Sequence, residues 1–266
     1  MGAAQAGGRK SAAALRLGRR DLCGRTHAVR DRQGPDEIPG RLAGRIGPCR
    51  RSGHCNVPRS TLPRAVLFDA AGTLIYPAPP AAEVYARVAA HWGCAAAPDE
   101  VARRYAQAWS RRQASSLHDQ GRTSEAHERT WWRELVAEVF PEAIALDSLF
   151  AALWDHFAQP QHWQLYDDVP AALATLQAAG IPWYIASNFD ARLESIWRGQ
   201  PALAACQGLF ISSRVGFRKP AAGFFSHVQQ ALGCAPHELL LIGDDLECDY
   251  LAARRAGWRA LLLHRR

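Results

Sequence analysis

Five short runs, at 65–68 (AVLF), 183–186 (WYIA), 209–211 (LFI), 239–242 (LLLI) and 260–263 (ALLL), are apolar without alternation. Runs of that kind are strands covered on both faces, which requires a parallel sheet with helices packed over each side. Four of the five stop at polar residues: Asp69, Ser187-Asn188, Ser212-Ser213 and Gly243-Asp244-Asp245. Amphipathic segments alternate with them. Asp168 and Pro170 open one, with Leu173 and Leu176 on its inner face and Gly180 as its stop. Phe224, Phe225, Val228 and Leu232 mark another, stopped by Gly233. The fold class is α/β, a doubly wound parallel sheet. Such sheets bind ligands beyond the carboxyl ends of their strands. This sequence places Asp69, Ser187, Asn188, Asp244 and Asp245 there.

Residues 77–165 interrupt the alternation and read as helices without a convincing strand. Val84, Val88 and Trp92 share one face; Val101, Tyr105, Ala108 and Trp109 share a second, opened by Pro98-Asp99. Trp132, Val136 and Val139 fit a third helix, and Asp147 caps a fourth bearing Phe150, Leu153, Trp154 and Phe157. Six of the nine tryptophans lie in this insertion. Most are expected to pack a small bundle, with one or two facing a substrate pocket. The histidines of the insertion show no ligand spacing and are expected at the surface. The organisation expected is an α/β core of 64–76 and 166–266, a helical insertion over 77–165, and an extension over 1–63.

The formal net charge of +7 belongs to that extension, which carries 13 basic and four acidic residues and no sustained apolar periodicity. It reads as disordered. A nucleic-acid arm or a targeting segment fits less well than plain disorder or an extension from a misplaced start, with Val57 and Leu62 as nearby alternatives. Nucleic acid is therefore a disfavoured partner. No apolar run approaches the roughly 20 residues of a membrane helix, so no membrane association is expected. Seven scattered cysteines without a Cys-x-x-Cys pair point to a reducing, cytoplasmic setting rather than a disulfide scaffold. Cys49, His54 and Cys55 lack a fourth ligand and suitable spacing for zinc. Lysine occurs only at Lys10 and Lys219, against thirty arginines. Oligomeric state and substrate identity are not legible at this level.

Taken in order, Phe68-Asp69-Ala70-Ala71-Gly72-Thr73-Leu74, Ser187-Asn188-Phe189-Asp190, Lys219-Pro220, and Gly243-Asp244-Asp245 with Asp249 resemble the four motifs of the haloacid dehalogenase-like (HAD) hydrolase superfamily. The subgroup resembled is the one with a helical cap inserted after the first motif. The stretches 187–196 and 248–257 resemble the branch named haloacid dehalogenase-like hydrolase domain-containing proteins. The resemblance spans about 65–263 and implies a Rossmann-like core under a helical cap. It implies that Asp69 is a nucleophile forming an aspartyl-phosphate, and that Mg²⁺ is held by Asp69, Asp244 and the backbone carbonyl of Ala71. Asp245 or Asp249 would support the metal. Ser187 and the Asn188 backbone would bind phosphate, and Lys219 would neutralise charge on nucleophile and phosphoryl group. The partner implied is a small phosphorylated substrate.

One position departs from the phosphatase pattern. The second Asp of that pattern, two residues after the nucleophile, protonates the leaving group and then activates water; here it is Ala71. General acid–base catalysis contributes about 10²–10⁴-fold, so a slow phosphatase is expected. A phosphonatase would need a cap lysine, and 77–165 contains none. A 2-haloacid dehalogenase fits less well because it does not keep the metal-binding Asp. A catalytically impaired phosphometabolite-binding or partner-binding protein is the third reading. For single residues the plain roles are helix caps for Asp69 or Asp244, a turn for Ser187, an exposed helix position for Asp249, and a solvated helix start for Asp190, Arg192 and Glu194.

Overall fold

The structure, a computed structural model, describes residues 62–94, 96–115 and 120–265. The reading of 1–63 as an extension lies almost wholly outside the described residues. Five parallel strands form the sheet: β1 (Ala65–Phe68), β4 (Trp183–Ser187), β5 (Leu209–Ile211), β6 (Leu239–Gly243) and β7 (Arg259–Leu262). Their order is β5-β4-β1-β6-β7, so the sheet is doubly wound with β1 at its centre. Val66 pairs with Trp183 on one side and Leu240 on the other.

The lack of alternation in β1 now has its physical cause. Leu67, with Tyr184, Phe210, Phe224, Phe225 and Trp258, packs one face, under α8 (Ala222–Leu232) and α9 (Ala252–Arg255). Val66 and Phe68, with Trp183 and Ile185, pack the other, under α5 (Val169–Ala178) and α6 (Arg192–Arg198). Both sides of the pleat are apolar because both sides are covered.

Two further strands, β2 (Ile75–Pro77) and β3 (Trp163–Leu165), pair antiparallel with Tyr76 opposite Gln164. The sequence reading missed this ribbon: three-residue strands, one ending in a proline, carry too little pattern to read. Between them lie α1 (Ala81–His91), α2 (Pro98–Ser115), α3 (Glu125–Val139) and α4 (Leu146–His156). These helices share their own apolar cluster around Val84, Tyr85, Val101, Trp131, Leu135, Leu149 and Leu153. The short helix α7 (Ser212–Val215) follows β5. No helix among the described residues is long and apolar enough to cross a membrane.

Several local expectations are corrected. Trp92 falls one residue past α1 and is 41% exposed. Asp147 lies inside the first turn of α4 and pairs with Arg133 at 2.7 Å instead of capping. Asp168 occupies the cap position of α5 without a side-chain cap bond; its carboxylate accepts from Arg265 at 2.5 Å. For both aspartates a charged partner elsewhere competes for the side chain.

Candidate active site

The strand order decides which polar ends can meet. β4, β1 and β6 are adjacent, so Ser187, Asp69 and Gly243-Asp244 emerge side by side at the carboxyl rim. Oxygens of Asp69, Asp244 and Asp249 all lie within 4.8 Å of one another. Lys219, 2% exposed, sits against them. Its ammonium donates to Asp69 Oδ1 at 2.8 Å, to Asp249 Oδ1 at 2.5 Å and to the Ala186 carbonyl at 2.8 Å. All three of its N–H donors are therefore engaged. Burial opposes the charge on Lys219, but Asp249 and Asp69 outweigh it and hold the ammonium's pKa above its usual value. Burial raises the pKa of Asp249. Burial also raises Asp244, partly offset by the Thr73 hydroxyl, which donates to Asp244 Oδ1 at 2.8 Å.

Two glycines make this crowding sterically feasible. Gly72 has φ +87°, and a Cβ there would overlap the Asp244 carboxylate. A Cβ on Gly243 would overlap Asp249 Oδ2. A π-helical turn, Leu246–Leu251, then swings Asp249 back beneath the sheet rim. Such single turns are rare and frequent at functional sites.

The site residues separate by what their side chains touch. Asp249 is buried and joins the carboxylate cluster, so its reading as an exposed helix residue is corrected. Asp245 turns away from that cluster: its Oδ1 accepts the Glu247 and Cys248 amides at 2.8 Å each, capping the π turn. Of the two acids offered as support, the cluster contains Asp249. Asn188 uses its side chain on the Lys219 backbone, donating to the carbonyl at 2.8 Å and accepting the amide at 2.7 Å. Ser187 and Ala71 line the same cavity as Asp69, Lys219 and Asp244.

Asp190 and Arg192 are not solvated. Asp190 is fully buried and accepts two hydrogen bonds from the Arg192 guanidinium, at 2.8 and 2.7 Å. That guanidinium lies 3.7 Å from the Trp154 ring centroid, so a core residue reaches into the helical layer. A bidentate pair supported by ring stacking explains how these charges tolerate burial. The sequence signal was available in retrospect: two opposite charges two residues apart, directly after a strand end. Thr73 was also missed as a contact, although it follows Gly72 directly.

The cavity has a volume of about 410 Å³. Its upper wall includes Tyr85, Tyr105, Trp109, Trp131 and Trp132 from the helical layer, and with Trp163 four tryptophans of 77–165 line the cavity where one or two were expected. Cys248 also lines it, but burial pushes its thiol up to about 12. It therefore stays protonated and is a poor nucleophile. Asp244 makes no ion pair among the described residues, and an all-oxygen donor set at this spacing suits a hard divalent cation.

Comparison with known proteins agrees with this architecture. A family model described as haloacid dehalogenase-like hydrolase matches residues 63–257. The haloacid dehalogenase-like hydrolase domain-containing protein 3 of Danio rerio is 29% identical over 208 residues, covering 76% of this chain and 86% of its own. A ribulose-1,5-bisphosphate 5-phosphatase of Halopiger xanaduensis is 26% identical over 205 residues, covering 74% and 83%. The HAD-hydrolase YfnB of Bacillus subtilis, bound to magnesium, superposes with a TM-score of 0.62 at 19% identity, covering 76% of this chain and 89% of that one. With the matched model spanning well over half its length and the motifs converging at one rim of the sheet, the chain belongs to the haloacid dehalogenase-like hydrolases.

Proposed function

We propose that this hydrolase is a Mg²⁺-dependent phosphatase of small phosphorylated metabolites, with Asp69 as nucleophile and α1–α4 as its cap. The observation that carries the reading is the three-carboxylate cluster gathered on one buried lysine beneath the cavity. The similarity to a ribulose-bisphosphate phosphatase supports it. Mg²⁺ would be held by Asp69, Asp244 and the Ala71 carbonyl, with Asp249 behind them, and would supply Lewis-acid neutralisation of the phosphate oxygens.

Lys219 holds Oδ1 of Asp69 by its hydrogen bond and leaves Oδ2 to attack phosphorus. Asn188 in turn fixes the Lys219 backbone from both sides. The Asp69 O–P bond forms, the bond from phosphorus to the leaving oxygen breaks, and that oxygen departs with the electron pair. Ser187 and the Asn188 amide orient the phosphoryl oxygens. Water then attacks phosphorus, the Asp69 O–P bond breaks, and carboxylate and inorganic phosphate are released. Both steps need a proton moved, and the methyl of Ala71 cannot move one. Good leaving groups are therefore preferred. The four described cysteines are free thiols, which supports a reducing, cytoplasmic setting.

The test is hydrolysis of p-nitrophenyl phosphate by the full chain, with Mg²⁺ and with EDTA. The expected result is metal-dependent release abolished by Asp69→Asn. Halide release from a 2-haloacid without metal, in place of phosphate release, would overturn the reading in favour of a dehalogenase.

A further inference from the structure

The cavity contains a further cation whose pairing is incomplete. Arg218 precedes Lys219 and lines the same cavity. Its side chain is 14% exposed, and Nη2 stands 3.9 Å from Glu128 Oε1. That oxygen is already engaged, accepting the Thr123 hydroxyl at 2.6 Å. Nη1 of Arg218 is buried and has no hydrogen-bond partner. A buried donor left unsatisfied costs about 1–3 kcal/mol, and more when charged. Unlike the indole nitrogens of Trp183 and Trp258, which are also unpartnered but lie in the core, this one borders a cavity that water or a ligand can enter. The neighbouring cations are committed: Lys219 to two carboxylates and a carbonyl, Arg192 to Asp190.

The wall around Arg218 is aromatic. Its guanidinium carbon lies 6.0 Å from the Trp131 ring centroid, and Trp109 and Trp132 pack on Trp131 at 5.4 and 5.1 Å. Indole surfaces offer little to solvate an anion, so a charge on the leaving group would depend on Arg218. The planar fork of a guanidinium matches either a carboxylate or a phosphate.

We propose that Arg218 forms an anion subsite and determines specificity, so that the preferred substrates are phosphomonoesters whose leaving group bears a second anionic group, a carboxylate or a phosphate. This rests on the phosphatase reading above for the first phosphate. The subsite lies on the core side of the cavity while the apolar wall comes from the helical layer, so both layers select the substrate.

The test uses the full chain and three graded series of equal chain length: n-alkyl phosphates, ω-carboxyalkyl phosphates and alkanediol bisphosphates. Two readouts are taken: kcat/KM for phosphate release by the wild type, and calorimetric affinity for the same esters in the Asp69→Asn variant. At one chain length at least, a doubly anionic ester is preferred over its alkyl counterpart by about tenfold in both readouts. The series that shows the preference identifies the anion. In Arg218→Met the ratio falls to near one, and in Arg218→Lys it is partly restored. A wild-type ratio near one at every length overturns the subsite, as does a preference that survives in Arg218→Met. A merely structural role for Arg218 would lower both members of each pair alike and leave the ratio unchanged. Turnover without preference refutes the subsite alone. Preference in Asp69→Asn binding, with no Mg²⁺-dependent release from p-nitrophenyl phosphate by the wild type, refutes the phosphatase reading and leaves the subsite standing.

Discussion

Ala71 and Gly243 carry the sharpest consequences at the scale of single residues. Ala71 lines the cavity beside Asp69 at the position where a carboxylic acid would transfer protons. Ala71→Asp should raise kcat on esters of poor leaving groups, by up to about 10²–10⁴-fold; steady-state kinetics on an alkyl phosphate checks this. Gly243 has no room for a methyl because Asp249 Oδ2 occupies the space. Gly243→Ala should push that carboxylate off Lys219, abolish activity and destabilise the fold by about 1–3 kcal/mol, measured by urea unfolding. Asp69, Lys219 and Asp244 stood out in the sequence because two follow strand ends and the third is the only lysine among the described residues, and the structure brings the three together. The direction of a side chain was not: Asp245 and Asp249 are both acids after β6, and only the π turn decides that Asp249 meets Lys219 while Asp245 caps.

Between residues and the whole stand the connections, where β3 and α4 meet. His156, the last residue of α4, stacks on His162 with ring centroids 3.6 Å apart. Burial, the facing His162 and nearby Arg87 lower the His156 pKa to about 4 from 6.5. The folded state thus binds this proton less readily than the unfolded chain. The associated stability is fully present above about pH 6.5 and is lost as the pH falls toward 4. Urea midpoints measured across that window should fall with acid in the wild type and fall less in His156→Gln. The sequence placed the histidines of 77–165 at the surface because no spacing tied His156 to His162; the turn between α4 and β3 brings them together. The β2–β3 ribbon escaped for a related reason, since its pattern is split by four helices.

The whole-molecule account is the one most legible in sequence. Unbroken apolar runs stopping at polar residues specify a two-sided parallel sheet; the strand order, seen only in the structure, puts Ser187, Asp69 and Asp244 at the ends of adjacent strands. What the sequence could not specify is how the helical layer meets the core. That meeting is made by long-range pairs such as Arg192 with Trp154, and Glu125 with Ser213 at 2.6 Å. Because residue 71 cannot take a proton from the attacking water, the phosphoryl group should dwell on the nucleophile when the first step is fast, as with a p-nitrophenolate leaving group. Peptide mass spectrometry on enzyme acid-quenched during turnover in ¹⁸O-water tests this most directly. The account predicts the peptide containing Asp69 carrying one phosphoryl group, with ¹⁸O appearing in released phosphate and none in the Asp69 carboxylate. An Asp69 peptide that stays unmodified throughout turnover, or one that gains ¹⁸O in its carboxylate, would contradict it.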